Sequence, residues 1–416
     1  MDARLSRQRL GPRDRALATE LCYGVLRHRG TLDFLLCTVL DRPLGAVDVD
    51  VRNVLRLGAY QLFYLDKVPA YAAVHETVRL TRRGPAPFVN AVLRSLERRG
   101  PLKDDELPHD LIESWAVRYS HPPWLVERWV KRLGDEARQL MEAHNQIPPV
   151  GIGCNPLRGT VLELEQILTR AEVKWKPSPW LPDMFRVRDA GSLLTSSARD
   201  RGVFWVMDEA AALVVRLLDP QPGERIVDAC AGGGGKAALA AMLMQNRGHI
   251  AALDINTRAL RRLEHACRRL GVTIIRPAKQ DAREAWREFR GWADRVLVDA
   301  PCTGLGTVRR RPEIRWLREP ADIPRLADLQ GAILDGAADC VRSGGSLVYA
   351  VCSREPEEGE KIIANFFTRH PEFSQEETTP AFFREGRSAL LTGGCVTTWP
   401  HRHETDGFFA CRLRRD

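Results

Sequence analysis

The stretch Arg225-Ile-Val-Asp-Ala-Cys-Ala-Gly-Gly-Gly-Gly-Lys236 decides how this chain is read. A short apolar run that stops at a carboxylate and passes into four consecutive glycines reads as a buried strand, a tight turn and a helix start. Outward from it the alternation repeats. Ile250-Ala-Ala-Leu-Asp254 reads as a second strand, and Thr273–Pro277 as a third, followed by Lys279-Gln-Asp281. Arg295–Asp299 is a fourth and Ser346–Val351 a fifth. Strands alternating with helices predict a mostly parallel α/β sheet, covered on both faces, over residues 203–416. In such sheets ligands bind outside the carboxyl ends of the strands. Asp254, Asp281, Asp299, Cys302 and Cys352 all fall there.

The turn itself, Cys230, Ala231, Gly232, Gly233, Gly234, Gly235 and Lys236, leaves its ligand open. It is not a phosphate loop, because Lys236 is followed by Ala237 and no hydroxyl is available for magnesium. The useful discriminator is the acidic end of the next strand. Asp254 can accept hydrogen bonds from a ribose diol, and Asp281 can face an adenine amino group. That set suits the adenosine half of S-adenosylmethionine.

Two cysteines sit at strand ends: Cys302 in Asp299-Ala-Pro-Cys-Thr-Gly304, and Cys352 in Tyr349-Ala-Val-Cys-Ser353. A thiolate is soft and available near neutral pH, which suits addition to C6 of a pyrimidine. A second thiol beside it offers a base for a later proton removal. The pair points to methylation of carbon 5 of a cytosine in RNA. A cysteine taken singly is far more often a small buried hydrophobe, so the weight lies on the pair and its position. The ten cysteines include no C-x-x-C, and neither a disulfide framework nor a metal site is expected.

At 416 residues the chain is long enough for two or three domains. Hydrophobic residues make up 44% and charged residues 28%, ordinary for a protein with packed cores. No apolar run reaches the roughly 18 residues of a membrane span, and the N-terminus lacks a signal-peptide stretch. A reducing cytoplasm is expected. Sixty-two basic against 54 acidic residues give a net charge of +8. Residues 1–100 hold 17 basic and 10 acidic ones, so nearly all the excess lies there, as in a domain that engages phosphate backbones.

That first part reads as helical. Arg15–Arg27 and Val51–Tyr64 each carry apolar residues on one face, and further helices are predicted at 70–83, 87–99, 110–119 and 123–144. An all-α domain over residues 1–140 follows. Arg79, Arg82, Arg83, Arg94, Arg98 and Arg99 gather on or between two of its helices, with Asn90 beside them. Near Ile147-Pro-Pro149 the texture changes. Strands at 150–156, 173–175 and 185–187, with a helix at 160–171 capped by Thr160, make residues 147–200 a small α/β element.

Asp299-Ala-Pro-Cys-Thr-Gly-Leu-Gly-Thr-Val-Arg-Arg-Arg-Pro-Glu-Ile-Arg-Trp316, Tyr349-Ala-Val-Cys-Ser353 and Asp406-Gly-Phe-Phe-Ala410 resemble the RNA 5-methylcytosine methyltransferases of the Sun/Fmu/RsmB type. Pro12-Arg-Asp-Arg-Ala-Leu-Ala-Thr-Glu-Leu21, Val68-Pro-Ala-Tyr-Ala-Ala-Val74 and Val89-Asn-Ala-Val-Leu-Arg94 are similar to their NusB-like helical domain. The resemblance implies a NusB-like domain joined to a Rossmann-like methyltransferase domain, with S-adenosylmethionine as cofactor and no metal. It implies Cys352 as nucleophile, Cys302 as the group that assists release, and Asp299 at N3 of the base. Asn90, Arg94, Arg309, Arg310 and Arg311 become candidate RNA contacts. A 16S ribosomal RNA cytosine is the implied substrate, with transfer RNA or large-subunit RNA as alternatives, and a monomer is expected. Two departures accompany it. Gly233 stands where the family has proline, which should loosen the turn, and the helical domain is expected to lack its first helix. A different class of reading, a catalytically degenerate RNA-binding or antitermination factor, rests on Gly233 alone.

Overall fold

The computed structural model describes residues 11–81, 84–376, 380–384 and 386–416. The expected absence of a first helix concerns residues outside these, as do Arg82 and Arg83. The chain divides into two compact units. One comprises residues 1–146 with Arg311–Leu317, and the other comprises residues 147–310 with 318–416. Among the described residues no helix is long and apolar enough to cross a membrane.

The first unit is helical: α1 (Pro12–Cys37), α2 (Val49–Tyr64), α3 (Ala70–Arg79), α4 (Ala86–Arg99), α5 (Leu111–Arg118), α6 (Pro123–Leu133) and α7 (Glu136–His144). Asp48 starts α2 by accepting from the amides of Asp50 and Val51 at 2.9 and 3.4 Å, which satisfies donors that a helix leaves free. Leu32, Leu36, Leu55, Ala59, Val89 and Leu93 close the core between α1, α2 and α4. The single helix expected over 123–144 is two, because Gly134 adopts φ +58° after α6 and the left-handed turn ends the ladder.

Arg311–Leu317 is packed into this unit although it follows the Cys302 turn in sequence. Arg315 is wholly buried there, donating to the carbonyls of Ser120, His144 and Arg27 and to Asn145 Oδ1 at 2.8–3.3 Å. Trp316 Nε1 donates to Leu26 O at 2.7 Å.

The second unit opens with a four-stranded antiparallel sheet, β1 (Val150–Cys154), β2 (Lys174–Pro177), β3 (Met184–Arg188) and β4 (Phe204–Val206), in the order β2-β3-β1-β4. Helix α8 (Val161–Arg170) packs on it through Leu164 and Leu168. Thr160 and Glu163 form the capping box that the threonine signalled. The boundary expected at 203 shifts here: Phe204–Val206 pairs with β1 and so belongs to the small sheet.

The large sheet takes over after α9 (Glu209–Leu218). Its strands are β5 (Arg225–Asp228), β6 (His249–Asp254), β7 (Ile275–Lys279), β8 (Ala293–Asp299), β9 (Val341–Val351), β10 (Phe373–Gln375), β11 (Leu391–Thr392), β12 (Cys395–Thr398) and β13 (Phe408–Arg415). Their order is β11-β12-β13-β9-β8-β5-β6-β7, with β10 beside β13. β7, β6, β5, β8 and β9 are parallel, and the C-terminal strands add antiparallel. Helices α10 (Gly235–Leu243), α11 (Thr257–Leu270), α12 (Asp322–Ala338) and α13 (Glu360–Arg369) lie in the crossovers. Two apolar clusters, one centred on Leu213, Leu239 and Ile250 and the other on Val296, Leu334 and Val341, fill the sheet's flanks. Cys395 and Cys411 are joined by a disulfide across β12 and β13. Sequence spacing did not signal it, because the two face each other only through the register of those strands.

The strand order reverses between β5 and β8, since the chain passes outward through β6 and β7 and returns to start β8 on the other side of β5. This is the switch point where an open α/β sheet leaves a crevice at its carboxyl edge.

Candidate active site

Five strand ends converge on that crevice. A cavity of about 290 Å³ is lined by Cys230, Asp254, Asp281, Asp299, Pro301 and Ile333 among others. The glycine turn forms one wall. Gly232 and Gly234 adopt φ +54° and +79°, a region open to glycine at little cost. A Cβ at Gly234 would stand 2.4 Å from Leu263 Cγ, so the turn also needs the close approach to α11. Asp254 Oδ2 accepts from Gly232 N at 2.8 Å and its Oδ1 from Asn256 N at 2.7 Å. Asp254 thus ties the turn to the end of β6. Asp281 is held by the amide and guanidinium of Arg283, whose hydrogen bond lowers its pKa.

Lys236 and Asp299 form an ion pair at 2.5 Å. Burial pulls the lysine pKa down, and the Asp299 carboxylate outweighs this and leaves it raised. Beneath them Asp228, at the end of β5, is buried and its Oδ1 has no hydrogen-bond partner among the described residues. Burial first, and then repulsion from Asp299, push its carboxyl up to about 7. Burial and the nearby aspartates also raise the Cys230 thiol, so it holds its proton. A crevice this rich in carboxylates matches a ligand with a hydroxyl-bearing sugar, an exocyclic amine and positive charge.

The structure brings Cys302 and Cys352 together, Sγ to Sγ at 3.3 Å. The hydrogen bond to Cys352, followed by burial, raises the Cys302 pKa well above that of a free thiol. Either thiol can be the donor across this contact. A buried polar set aims the Cys302 turn. Glu358 accepts from Thr303 N at 2.7 Å, from Thr303 Oγ1 at 2.5 Å and from Gln330 Nε2 at 3.0 Å. Gln330 also donates to Pro301 O at 3.0 Å, and Tyr349 OH donates to Glu358 O at 2.6 Å. The peptide groups on both sides of Cys302 are thereby fixed from α12, β9 and the loop before α13. Sequence reading missed Glu358, Gln330 and Tyr349, since only the crossover brings them under the turn.

Two of the three arginines after the Cys302 turn change character. Arg309 and Arg310 are not an open cationic cluster. Arg310 pairs with Asp208 and, at 2.9 Å, with Asp406, and it donates to Pro149 O at 2.8 Å. Arg309 is 5% exposed and donates to Glu404 O at 2.9 Å. These arginines lock the loop after Cys302 to the C-terminal strands. Arg311 stays exposed beside Glu313 at 3.4 Å. In the helical unit Asn90 is exposed and Arg94 pairs with Glu97 at 2.9 Å. Arg79 and Arg99 are likewise paired, with Glu76 and Glu106.

Comparison with known proteins agrees with this geometry. A family model described as 16S rRNA methyltransferase RsmB/F matches residues 215–414. A NusB family model matches residues 1–98, and a model of the RsmF/B-like ferredoxin-like domain matches residues 121–193. A probable ribosomal RNA small subunit methyltransferase B of Bacillus subtilis is 35% identical over 98% of this chain and 92% of its own length. Another, from Synechocystis, is 36% identical over 100% of this chain and 94% of its own. The crystal structure of PH0851 superposes with a TM-score of 0.82 at 30% identity, covering 96% of this chain and 90% of that one.

Proposed function

From the membership of this chain in the ribosomal RNA small subunit methyltransferase B family, with its NusB domain and Rossmann-like methyltransferase domain, we propose that it methylates carbon 5 of a cytosine in 16S ribosomal RNA through a covalent Cys352–C6 adduct. The observation that carries this reading is the 3.3 Å approach of two thiols at the ends of neighbouring strands, beside the Lys236–Asp299 pair.

Asp254 and Asp281 would hold the diol and adenine of S-adenosylmethionine, which would supply an electrophilic methyl group to C5 of the activated cytosine and leave as S-adenosylhomocysteine. Cys352 would attack as the thiolate, whose charge a hydrogen bond from the neighbouring Cys302 thiol would stabilise. Its addition to C6 would make C5 electron-rich, and Asp299, anchored by Lys236, would hold a proton at N3 by hydrogen bonding and so neutralise the charge built up there. Once Cys352 is bonded to C6, the hydrogen bond that chiefly raises the Cys302 pKa is gone. Cys302 would then give up its own proton to solvent and, as thiolate, take the one on C5, and the electron pair of the broken C5–H bond would expel Cys352. The target base has to leave its stack to reach this crevice, which a loop or bulge permits most cheaply. Such a protein belongs in the cytoplasm with its ribosomal precursor.

Transfer of labelled methyl groups to 16S RNA, abolished in Cys352→Ala, is the expected result. In Cys302→Ala a protein–RNA adduct stable to denaturing gels should accumulate, and none should form in Cys352→Ala. Normal turnover by Cys302→Ala would reassign that cysteine to packing. Bisulfite sequencing of RNA from a deletion strain identifies the substrate: an unchanged 16S pattern beside a lost transfer-RNA mark would overturn the choice of RNA.

A further inference from the structure

Arg158, Arg201, Arg268 and Arg269 line a surface groove of about 400 Å³ in the second unit, with Asp200 and Val203. Four guanidinium groups there face one carboxylate. They arrive from three places: the turn between β1 and α8, the loop before β4, and the last turn of α11. The three are tied together from beneath, because Asn155 Nδ2 donates to Gly202 O at 2.7 Å and to Leu270 O at 2.9 Å. Arg269 is committed to the same framework and donates to Arg199 O and Phe204 O at 3.0 and 3.3 Å. The Arg158 guanidinium lies over Gly271, where a Cβ would come within 2.6 Å of it. Arg158, Arg201 and Arg268 are exposed, and none has a carboxylate partner among the described residues. That contrasts with Arg94, Arg99 and Arg310, each of which is ion-paired.

Helix α11 extends the charge. It carries five arginines against one glutamate in 14 residues, and Arg258, Arg261 and Arg262 are exposed along it. It begins three residues after Asp254 at the rim of the cofactor crevice, and Arg262 Nε lies 4.0 Å from the Cβ position of Gly233. At about 1.5 Å per residue it spans roughly 20 Å from that rim to the groove. Like charges held this close along one path repel one another unless a polyanion lies across them.

We propose that this groove and the exposed face of α11 form a phosphate-binding track for the substrate RNA, leading along the second unit to the crevice that holds Cys352. The RNA as ligand rests on the function proposed above. Guanidinium forks suit phosphate oxygens because two parallel N–H groups meet two oxygens. Contacts of this kind set the register of the strand and leave base choice to the pocket.

The test is titration of the full-length protein with a 16S-derived RNA hairpin at several salt concentrations. Arg158→Gln, Arg201→Gln and Arg268→Gln are combined in one variant. Arg258→Gln and Arg261→Gln form a second, on the exposed face of α11. Each variant should bind RNA more weakly whatever its sequence, with a slope of log affinity against log salt shallower by about one unit per arginine removed. Both should keep wild-type affinity for S-adenosylmethionine. Wild-type RNA affinity and slope in both variants would overturn the track. So would an equal loss of binding to polyglutamate, since the groove would then select acidic protein. A wild-type chain that binds RNA with the steep slope but transfers no methyl group would sink the proposed reaction and leave the track standing.

Discussion

At the scale of single residues, the crevice holds groups whose environment fixes their state. Asp228 is the clearest. Its carboxyl is raised from the ordinary aspartate value to about 7 by burial and by Asp299. A group raised in the folded state contributes stability below its unfolded pKa, about 3.9, and loses that contribution as pH rises through the folded value. The protein should therefore lose stability between about pH 4 and pH 7 on account of Asp228. Asp228→Asn should flatten that slope and be more stable than wild type at pH 8, measured by urea unfolding across the range. An unchanged pH profile would mean that Asp228 is ionised without penalty. The glycine turn gives a second residue-scale contrast. Gly234→Ala meets both a φ of +79° and Leu263 at 2.4 Å, and should cost about 1–3 kcal/mol and weaken cofactor binding. Gly233 lies outside the left-handed region, with only Arg262 Nε near its Cβ position, at 4.0 Å. Gly233→Ala should stabilise by about 0.4–1 kcal/mol, because it restricts the unfolded chain alone. A thermal melt of each variant checks both signs.

At the scale of elements, the Cys302 turn is a device held from below. Glu358 is fully buried and accepts three hydrogen bonds, two of them from Thr303. Removing the acceptor strands the Thr303 amide, and a buried unsatisfied group costs about 1–3 kcal/mol. Glu358→Ala should therefore lower the turnover number for methyl transfer far more than it alters S-adenosylmethionine affinity, because the cofactor wall is built from β5 and β6. Adduct trapping provides the check. A loosened turn should let adducts accumulate as in Cys302→Ala, whereas a purely structural loss would lower adduct and product together. The loop that follows is held by Arg310 between Asp208 and Asp406. Arginines that read in sequence as RNA contacts here act as internal cross-links.

At the scale of the whole molecule, the chain does not divide as beads on a string. Arg311–Leu317 leaves the second unit just after the Cys302 loop and belongs to the helical unit. Burial lowers the pKa of Arg315 there, and the charge is met by neutral oxygens alone. Arg315→Met should destabilise the helical unit by several kcal/mol, since three carbonyls and an amide oxygen lose a charged donor in the interior. A chain begun at Ile147 would leave that segment without its packing, and should be less stable in urea than the full protein. Equal midpoints would show the segment to be dispensable.

Much of this was legible in the sequence. Strand and helix alternation over the second half, the acidic strand ends and both cysteines follow from local periodicity and from the rule that parallel strands present their carboxyl ends to ligand. Those features depend on a few neighbouring residues, so a linear text carries them. The capping box at Thr160 is legible for the same reason. What the text could not carry is which distant groups meet. Glu358 lies 55 residues from Thr303, Arg310 lies 102 from Asp208, and Arg158 reaches Arg268 only through the fold. Charge counting placed the cationic surface in the first hundred residues, but several of those arginines are neutralised by glutamates beside them, whereas the second unit brings the exposed Arg158, Arg201 and Arg268 into one groove with no carboxylate partner among the described residues. Net charge is a sum over residues and pairing is a property of distance. The sequence alone determined the elements and the chemistry at the strand ends, and only the tertiary structure decided which charges remain free to meet a ligand.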